Sequence, residues 1–135
     1  MNALVIDTNV ISYIINHDSR GESYSQILGG MSASYISFIT VAELRFGVRR
    51  RNWGAARRDA LEGYLRNFAI YYPDEELTDL FVAVRLDRMA AGHPISMEDA
   101  IIAATALALG CPLVTHNVKD FRGITGLRLI TTASE

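Results

Sequence analysis

The fold is decided by Ala3-Leu4-Val5-Ile6-Asp7-Thr8-Asn9, a short apolar run that stops at an aspartate. An unbroken apolar run of this length predicts a strand that is buried on both faces, as the strands of parallel sheets are. From Thr8 onward the apolar residues recur at helical spacing, which predicts a helix that ends near Asn16 or His17. A buried strand followed at once by a helix begins a β–α unit, and Asp7 lies at its junction.

The alternation of strand and helix continues along the rest of the chain. The further expected strands are 35–39, 69–72, 113–115 and 127–131. The further expected helices are 22–31, 40–51, 55–68, 74–91 and 100–109, with a single turn through 117–121. Thr40 and Ser96 each begin a capping box of the Ser/Thr-x-x-Glu/Asp type, and Asp74 is expected to be an N-cap. The pattern predicts an α/β protein with three layers, α/β/α, around a mostly parallel sheet of four to five strands.

Composition favours one compact domain over residues 1–135 and excludes a disordered chain, because half of the 135 residues are hydrophobic and 21% are charged. Cys111 is the only cysteine, which excludes an internal disulfide and indicates a reducing compartment; we expect it to be a small core residue. The uncharged apolar stretch 100–112 is shorter than the roughly 20 residues that span a bilayer. The N-terminus, Met1 to Asp7, lacks the basic start of a signal peptide. We therefore expect a cytoplasmic protein with no membrane partner.

Acidic and amide side chains lie where strands end or helices begin. Asp7 ends the first strand, Glu43 follows the second, Asp99 opens the apolar helix, and Asn117 and Asp120 follow the fourth strand. The carboxyl ends of parallel strands share one edge of the sheet, where open α/β sheets bind their ligands. Several carboxylates in one cleft repel each other unless a cation lies between them, and all-oxygen ligands select hard ions. The pattern predicts Mg²⁺ or Mn²⁺ and metal-assisted hydrolysis of a phosphodiester.

Each of these residues also has a purely structural interpretation. Glu43 and Asp99 occupy the third position of capping boxes, and Asp7 and Asn117 are able to cap helices. A phosphatase that forms a phosphoaspartate on Asp7 is a second alternative. Phosphatases of the haloacid-dehalogenase type need another acid two residues later, where this chain has Asn9.

Positive charge is concentrated in one segment, although the net charge is −2. Six arginines and no acid lie between residues 44 and 58: Arg45, Arg49, Arg50, Arg51, Arg57 and Arg58. The planar guanidinium fork of arginine matches phosphate, although a solvated helix face has the same composition. Phe46 and Trp53 interleave with these arginines, which is typical both of RNA contacts and of protein interfaces. His116 lies beside the expected acidic site, where it is able to touch substrate, although we favour the interpretation that it is merely exposed.

Four segments together resemble the PIN-domain proteins. They are Asp7-Thr8-Asn9-Val10-Ile11, Ser37-Phe38-Ile39-Thr40-Val41-Ala42-Glu43-Leu44, Pro94-Ile95 with Asp99-Ala100-Ile101-Ile102-Ala103-Ala104-Thr105-Ala106, and Val114-Thr115-His116-Asn117-Val118-Lys119-Asp120-Phe121. Their order, their spacing and the chain length are similar to those of the VapC toxins of type II toxin–antitoxin systems. The resemblance covers nearly the whole chain.

The resemblance implies a toxin that is an Mg²⁺- or Mn²⁺-dependent endoribonuclease, in which an ion held by carboxylates activates a bound water to hydrolyse RNA. It implies that Asp7 and Asp99 hold the metal directly and that Glu43 completes the cluster and helps to position ion and water. It also implies a cognate VapB-type antitoxin that keeps the toxin inactive, and a homodimer.

The fourth segment departs from the family pattern, because many relatives have aspartate where this chain has Asn117. The Asn117 amide still offers a carbonyl ligand or a hydrogen bond, and Asp120, about one helical turn on, is the alternative that would supply the missing carboxylate. We expect one tightly held ion before substrate arrives. Thr8 and Thr115 are expected to add hydrogen bonds behind the metal ligands. The arginines expected to guide the RNA backbone are Arg45, Arg49 and Arg50. A PIN scaffold that binds RNA or protein with little or no catalysis is the alternative that Asn117 leaves open.

Overall fold

The computed structural model describes residues 3–134. Met1, Asn2 and Glu135 lie outside the described residues, and with them the two ends of the expected domain and the first residues of the N-terminal stretch. The strands are β1 (Ala3–Ile6), β2 (Ala33–Ser37), β3 (Ala69–Tyr71), β4 (Leu113–Val114) and β5 (Leu129–Ile130). The helices are α1 (Thr8–Ile15), α2 (Gly21–Gly29), α3 (Phe38–Arg50), α4 (Ala55–Leu65), α5 (Glu75–Ala90), α6 (Met97–Leu109) and α7 (Val118–Phe121).

The five strands form one parallel sheet in the order β3-β2-β1-β4-β5. The chain starts at the central strand, builds one half of the sheet through β2 and β3, and then returns to build the other half. The strand order therefore reverses between β1 and β4, and such a switch point is where doubly wound sheets bind ligands. This confirms the expected α/β class and the parallel sheet.

The central strand β1 is buried on both faces, and its side chains separate two cores. Leu4 and Ile6 belong to a core built with α1 to α4, whereas Ala3 and Val5 belong to a core built with α5 to α7. Successive side chains of a strand point to opposite faces, so an apolar run without alternation requires a helical layer on each side. The three-layer arrangement is thus confirmed.

The start of α3 differs from the expectation and changes how Glu43 is used. Ser37, not Thr40, is the N-cap, and its hydroxyl accepts a hydrogen bond from the Ile39 N–H at 3.2 Å. Thr40 lies inside the helix and is wholly buried, so the expected capping box at Thr40 and the expected strand end at Ile39 are both wrong. The β propensity of Phe38 and Ile39 gives way because Ser37 has extended backbone and a hydroxyl in reach of the next turn. The Glu43 carboxylate is consequently not used as a cap.

The starts of α5 and α6 follow their local signals, whereas α4 ends at Leu65, three residues before its expected end. Asp74 caps α5 by accepting from the Leu77 N–H at 2.8 Å, and Ser96 caps α6 by accepting from the Asp99 N–H at 3.1 Å. Asn117 precedes α7 but its side chain makes no capping hydrogen bond, so that expected cap is wrong. Cys111 is buried, as expected. Within residues 3–134 we find no helix with the length and apolar character needed to cross a membrane.

Candidate active site

Asp7 lies at the switch point, directly after β1 and beside the end of β4. Its N–H donates to the Val114 carbonyl oxygen at 2.9 Å, which continues the β1–β4 pairing by one residue. Its side chain caps α1, with Oδ1 accepting from the Thr8 N–H at 2.8 Å. The residue is only 4% exposed, so its carboxylate lies at the floor of the carboxyl edge of the sheet.

Both carboxylate oxygens of Asp7 are held by neighbours. Oδ2 accepts from the Thr115 hydroxyl at 2.7 Å, and the Thr115 oxygen in turn accepts from the Asn117 N–H at 3.0 Å. Burial raises the pKa of Asp7 to about 6 against the lowering effect of Thr115 and the Thr8 N–H, and the charges of Asp99 and Glu43 raise it further. A carboxylate in this state gains from any cation that comes close.

Glu43 reaches the same edge from the second turn of α3 and is half-buried. The Thr8 hydroxyl donates to its Oε1 at 2.9 Å and lies 2.9 Å from the Thr40 hydroxyl. Because the one proton of Thr8 goes to Glu43, the Thr40 hydroxyl must donate to Thr8. Burial raises the pKa of Glu43, the Thr8 hydrogen bond opposes this, and the charges of Glu98 and Asp99 add to it.

Asp99 stands in the first turn of α6, where Ser96 holds its backbone N–H. Burial raises its pKa, and the charge of Asp120 is the next largest cause. Asp120 lies in the short helix α7 after β4 and is exposed. The structure therefore brings Asp99 and Asp120 within electrostatic range of each other.

The carboxylates form one electrostatic group, defined here as the acidic cluster of Asp7, Glu43, Asp99 and Asp120. Each of the first three has its pKa raised by the charge of another member, so they do not lie on separate surfaces. In the part of the chain that the structure describes, no three acidic, histidine or cysteine side chains are spaced to ligate one ion as they stand. The Asn117 side chain is exposed next to the cluster, and its backbone N–H is used by Thr115.

The arginines expected to guide RNA lie apart from the acidic cluster. Arg45 is held by the Glu62 carboxylate of α4 at 2.7 and 3.0 Å. Arg49 and Arg58 line a groove of about 330 Å³ between α3 and α4, and Arg50 is exposed. Among the described residues, no arginine lowers the pKa of Asp7, Glu43 or Asp99. The groove that Arg49 and Arg58 line is called the α3–α4 groove below.

A second groove, of about 160 Å³, leads from the acidic cluster along α1 and α3. Thr8 and Glu43 line one end, and Arg51 and Trp53 line the other. The Trp53 ring lies under two guanidinium groups, with Cζ of Arg57 4.2 Å and Cζ of Arg51 5.2 Å from its centroid. Arginine and an aromatic ring together suit an RNA strand or a protein segment.

His116 is half-buried rather than merely exposed, so that expectation is wrong. Its Nδ1 lies 2.7 Å from the Tyr24 hydroxyl, and its ring makes edge contacts with Tyr13 and Tyr24 at centroid distances of 5.3 and 5.8 Å. Tyr24 is wholly buried on α2, and a buried hydroxyl requires partners. The only sequence signal is that Tyr24 falls on the apolar face of its helix, which does not identify a partner 92 residues away.

Comparison with known proteins agrees with this architecture. The PIN domain family matches residues 4–127. Ribonuclease VapC1 from Haemophilus influenzae (strain R2866) is 34% identical over 127 residues, which cover 92% of this chain and 93% of that relative. The crystal structure of VapBC2 from Rickettsia felis bound to a DNA fragment from their promoter gives a TM-score of 0.85 at 28% identity, covering 96% of this chain and 98% of that one. The structure of VapBC-1 from nontypeable Haemophilus influenzae also gives a TM-score of 0.85, at 29% identity, covering 96% of this chain and 97% of that one.

The sheet order and the cluster of acids at its switch point define an α/β domain with an acidic cleft. The chain belongs to the PIN domain family and, within it, to the VapC proteins.

Proposed function

We propose that this protein is the toxin of a type II toxin–antitoxin system and that it cleaves RNA internally by metal-dependent hydrolysis. The observation that carries the proposal is the acidic cluster, in which carboxylates from distant parts of the chain raise the pKa of their neighbours at the switch point of the sheet. Relatives that are named ribonuclease VapC support RNA as the substrate.

The donor set fits Mg²⁺ or Mn²⁺, because it consists of carboxylate and amide oxygens and includes a buried carboxyl whose pKa is raised. Asp7 and Asp99 would hold the ion, with Glu43 and Asp120 completing the charge and Asn117 offering an amide oxygen. When bound, such an ion supplies Lewis acidity towards a phosphodiester oxygen and lowers the pKa of water. Because Asn117 removes one charge, we propose one ion before substrate arrives.

The protein's own residues prepare the site in three ways. Thr115 and the Thr8 N–H hold the two oxygens of Asp7 in fixed positions. The Thr8 hydroxyl orients Glu43 through Oε1, which leaves Oε2 to accept a proton from the attacking water. Ser96 fixes the backbone of Asp99 at the start of α6. Because of these contacts, the carboxylates would need to move less in order to share an ion.

A PIN scaffold with weak or no catalysis is the second candidate. Two features favour it: Asn117 replaces the acid that the family resemblance leads us to expect, and no three ligand-type side chains among residues 3–134 are spaced for one ion as they stand. Such a module would bind RNA or protein through its grooves without cutting.

The partners follow from the relatives. Proteins of similar structure were solved as VapBC complexes, which supports a VapB-type antitoxin for this chain. We also propose a homodimer in the cytoplasm: Val82, Leu86 and Met89 form an exposed apolar stripe along α5 that a second copy would cover.

The test is RNA cleavage by the purified protein with and without Mg²⁺ or Mn²⁺. We expect cleavage with either ion, none in EDTA, and loss of cleavage in Asp7→Asn and Asp99→Asn while both variants stay folded. Asp79→Asn, an exposed acid on α5, is the matched control and should cut like the parent. Cleavage at the parent rate by Asp7→Asn or Asp99→Asn would contradict the assignment.

Calorimetric titration with Mn²⁺ separates the two candidates. An active enzyme should show a site in the parent that disappears in Asp99→Asn. Absence of both Mn²⁺ binding and cleavage in the parent would favour the inactive scaffold.

A further inference from the structure

A hydrogen-bond network fixes His116 beside the acidic cluster. The Tyr24 hydroxyl is its centre: it accepts from the Thr132 N–H at 3.2 Å and lies 2.7 Å from His116 Nδ1 and 3.2 Å from the Thr131 hydroxyl. The Thr115 carbonyl oxygen is farther away, at 3.5 Å. Tyr24 is wholly buried, whereas His116 is half-buried and Thr131 and Thr132 are exposed.

We assign the tautomer of His116 from the distances in this network. The Thr131 hydroxyl oxygen accepts from the Ala133 N–H at 3.0 Å, and its own proton is available for Tyr24. We assign the Tyr24 proton to His116 Nδ1, because at 2.7 Å this nitrogen is nearer than the Thr131 hydroxyl at 3.2 Å or the Thr115 carbonyl oxygen at 3.5 Å. Neutral His116 therefore carries its proton on Nε2.

Within residues 3–134 we find no hydrogen bond from that outer nitrogen, and the Asp18 carboxylate lies within electrostatic range of the ring. His116 follows Thr115, which holds Asp7, and it lines a cavity of about 540 Å³ together with Asn117, Lys119 and Asp120. A fixed N–H donor and a lysine thus share one cavity with two residues of the proposed site.

We propose that His116 Nε2–H binds a backbone phosphate of the substrate RNA next to the cleaved bond, with Tyr24 as the residue that positions it. This role rests on the proposed ribonuclease function. Phosphate is favoured over a base because the Lys119 ammonium lines the same cavity and phosphate oxygens accept strong hydrogen bonds from both donors. The rigid ring reduces the entropy lost when the contact forms.

RNA affinity tests the contact without cleavage. Fluorescently labelled single-stranded RNA is titrated into Asp99→Asn protein with and without a second change at His116. Asparagine keeps a polar atom near Nδ1 and removes the outer donor, so His116→Asn should weaken binding about tenfold. The glutamine amide would lie near the position of His116 Nε2, so the RNA affinity of His116→Gln should stay within about threefold of that of the parent.

His17→Asn is the matched control. His17 is exposed and has a left-handed backbone with φ 55°, which asparagine tolerates. It should bind RNA like the parent. Equal affinity in His116→Asn and the parent would overturn the contact.

Steady-state cleavage tests the positioning role of Tyr24. Tyr24→Phe should raise KM with kcat unchanged, and it should add little to His116→Asn, because both changes act on one contact. Melting temperatures identify any general loss of stability. Additive effects, or a fall in kcat alone, would overturn the positioning role.

RNA with single methylphosphonate linkages distinguishes phosphate from base. At the contacted position, the uncharged linkage should lower the RNA affinity of the parent. The parent should then bind this RNA no more tightly than His116→Asn does. If instead an abasic nucleotide removes that advantage, a base is the partner and the phosphate assignment is overturned. An unreactive parent protein that still shows these binding differences would contradict the proposed cleavage and leave the RNA contact standing.

Discussion

Asp7 keeps a carboxylate where burial opposes the charge. Two donors hold its oxygens, yet its pKa is still raised to about 6 because few water molecules reach it and Asp99 and Glu43 repel it. The metal-free protein must therefore either carry a proton there or tolerate an unfavourable charge. The arrangement is costly for folding alone, and the divalent cation that we propose would offset that cost.

The first prediction concerns pH and stability without metal. Folded Asp7 holds its proton up to about pH 6, whereas the ordinary value is 3.8, so the unfolded chain binds fewer protons between these values. The free energy of unfolding should therefore fall as pH rises from about 4 to about 6, by up to about 3 kcal/mol. Glu43 and Asp99, whose pKa values are also raised, act in the same direction. Denaturant unfolding in EDTA across this range measures the effect.

Asp7→Asn should flatten that pH dependence and be more stable than the parent above pH 6, while Asp79→Asn should behave like the parent. Added Mn²⁺ should stabilise the parent but not Asp7→Asn. An identical pH dependence in parent and Asp7→Asn would rule out Asp7 as its source.

The second prediction concerns the hydroxyl that orients Glu43. Thr8→Val preserves the shape of the side chain but removes the donor to Oε1 and the acceptor for Thr40. We expect RNA cleavage to fall about 10- to 100-fold, as is typical when a hydrogen bond behind a metal ligand is removed. Thr8→Ser keeps the hydroxyl and should retain most activity. Full activity in Thr8→Val would show that Glu43 needs no such support.

At this scale the sequence predicts which acids meet, because Asp7, Glu43 and Asp99 occupy junctions that a parallel sheet brings to one edge. It does not predict that Thr40 donates to Thr8, since that contact depends on where α3 begins. It also does not predict the Tyr24–His116 hydrogen bond, which joins residues 92 positions apart and leaves no periodic signal.

Among the elements, the first two helices meet more closely than side chains permit. At Gly21, the first residue of α2, an added Cβ would lie 2.8 Å from the carbonyl carbon and oxygen of Tyr13 in α1. The backbone of one helix thus packs directly against that of the other, and only glycine allows it. Tyr24 follows three residues later, so this contact also places the centre of the His116 network.

The third prediction tests this contact. Gly21→Ala should destabilise the protein by about 2 kcal/mol or more, since backbone atoms must move to admit a methyl group. Gly29→Ala, at the other end of α2, meets nothing within 4 Å and should be nearly neutral. Urea unfolding of the two variants measures the difference. Equal stabilities would show that α1 and α2 can separate without cost.

Element boundaries can be predicted where a cap or a glycine marks them. Ser96, Asp74 and Gly110 end or begin helices as expected, and Gly110 has the positive φ of 65° that favours glycine. The boundary at Ser37 is not predictable in this way because two capping signals lie three residues apart. The choice between them depends on burial of Thr40, which is a tertiary effect.

For the whole molecule, charge is divided between separate surfaces. The acidic cluster occupies the carboxyl edge of the sheet, whereas the α3–α4 groove presents Arg49 and Arg58. A net charge of −2 conceals this separation. Under the proposed function, an RNA strand that reaches the cluster would bind through its phosphates to α3 and α4 without neutralising the acids that are proposed to hold the ion.

The fourth prediction follows from that separation. Arg49→Ala combined with Arg58→Ala should weaken RNA binding and reduce the salt dependence of affinity by about 0.7 in log–log slope for each phosphate that the variant no longer neutralises. Arg85→Ala, on α5 in the opposite layer, is the control and should leave the slope unchanged. Fluorescence titrations over a range of salt concentrations provide both values. An unaltered slope in the double variant would place the RNA elsewhere.

The sheet order has a consequence for the protein's synthesis. β1 is made first. Its neighbour β4, which leads into Thr115, can pair with it only after most of the chain has been made. Domains fold during synthesis as their segments become available, so a growing chain that ends before α6 carries Asp7 and Glu43 without Asp99. Such a chain lacks a complete acidic cluster. The acidic cluster therefore cannot assemble until α6 and β4 have been made, late in the synthesis of the chain.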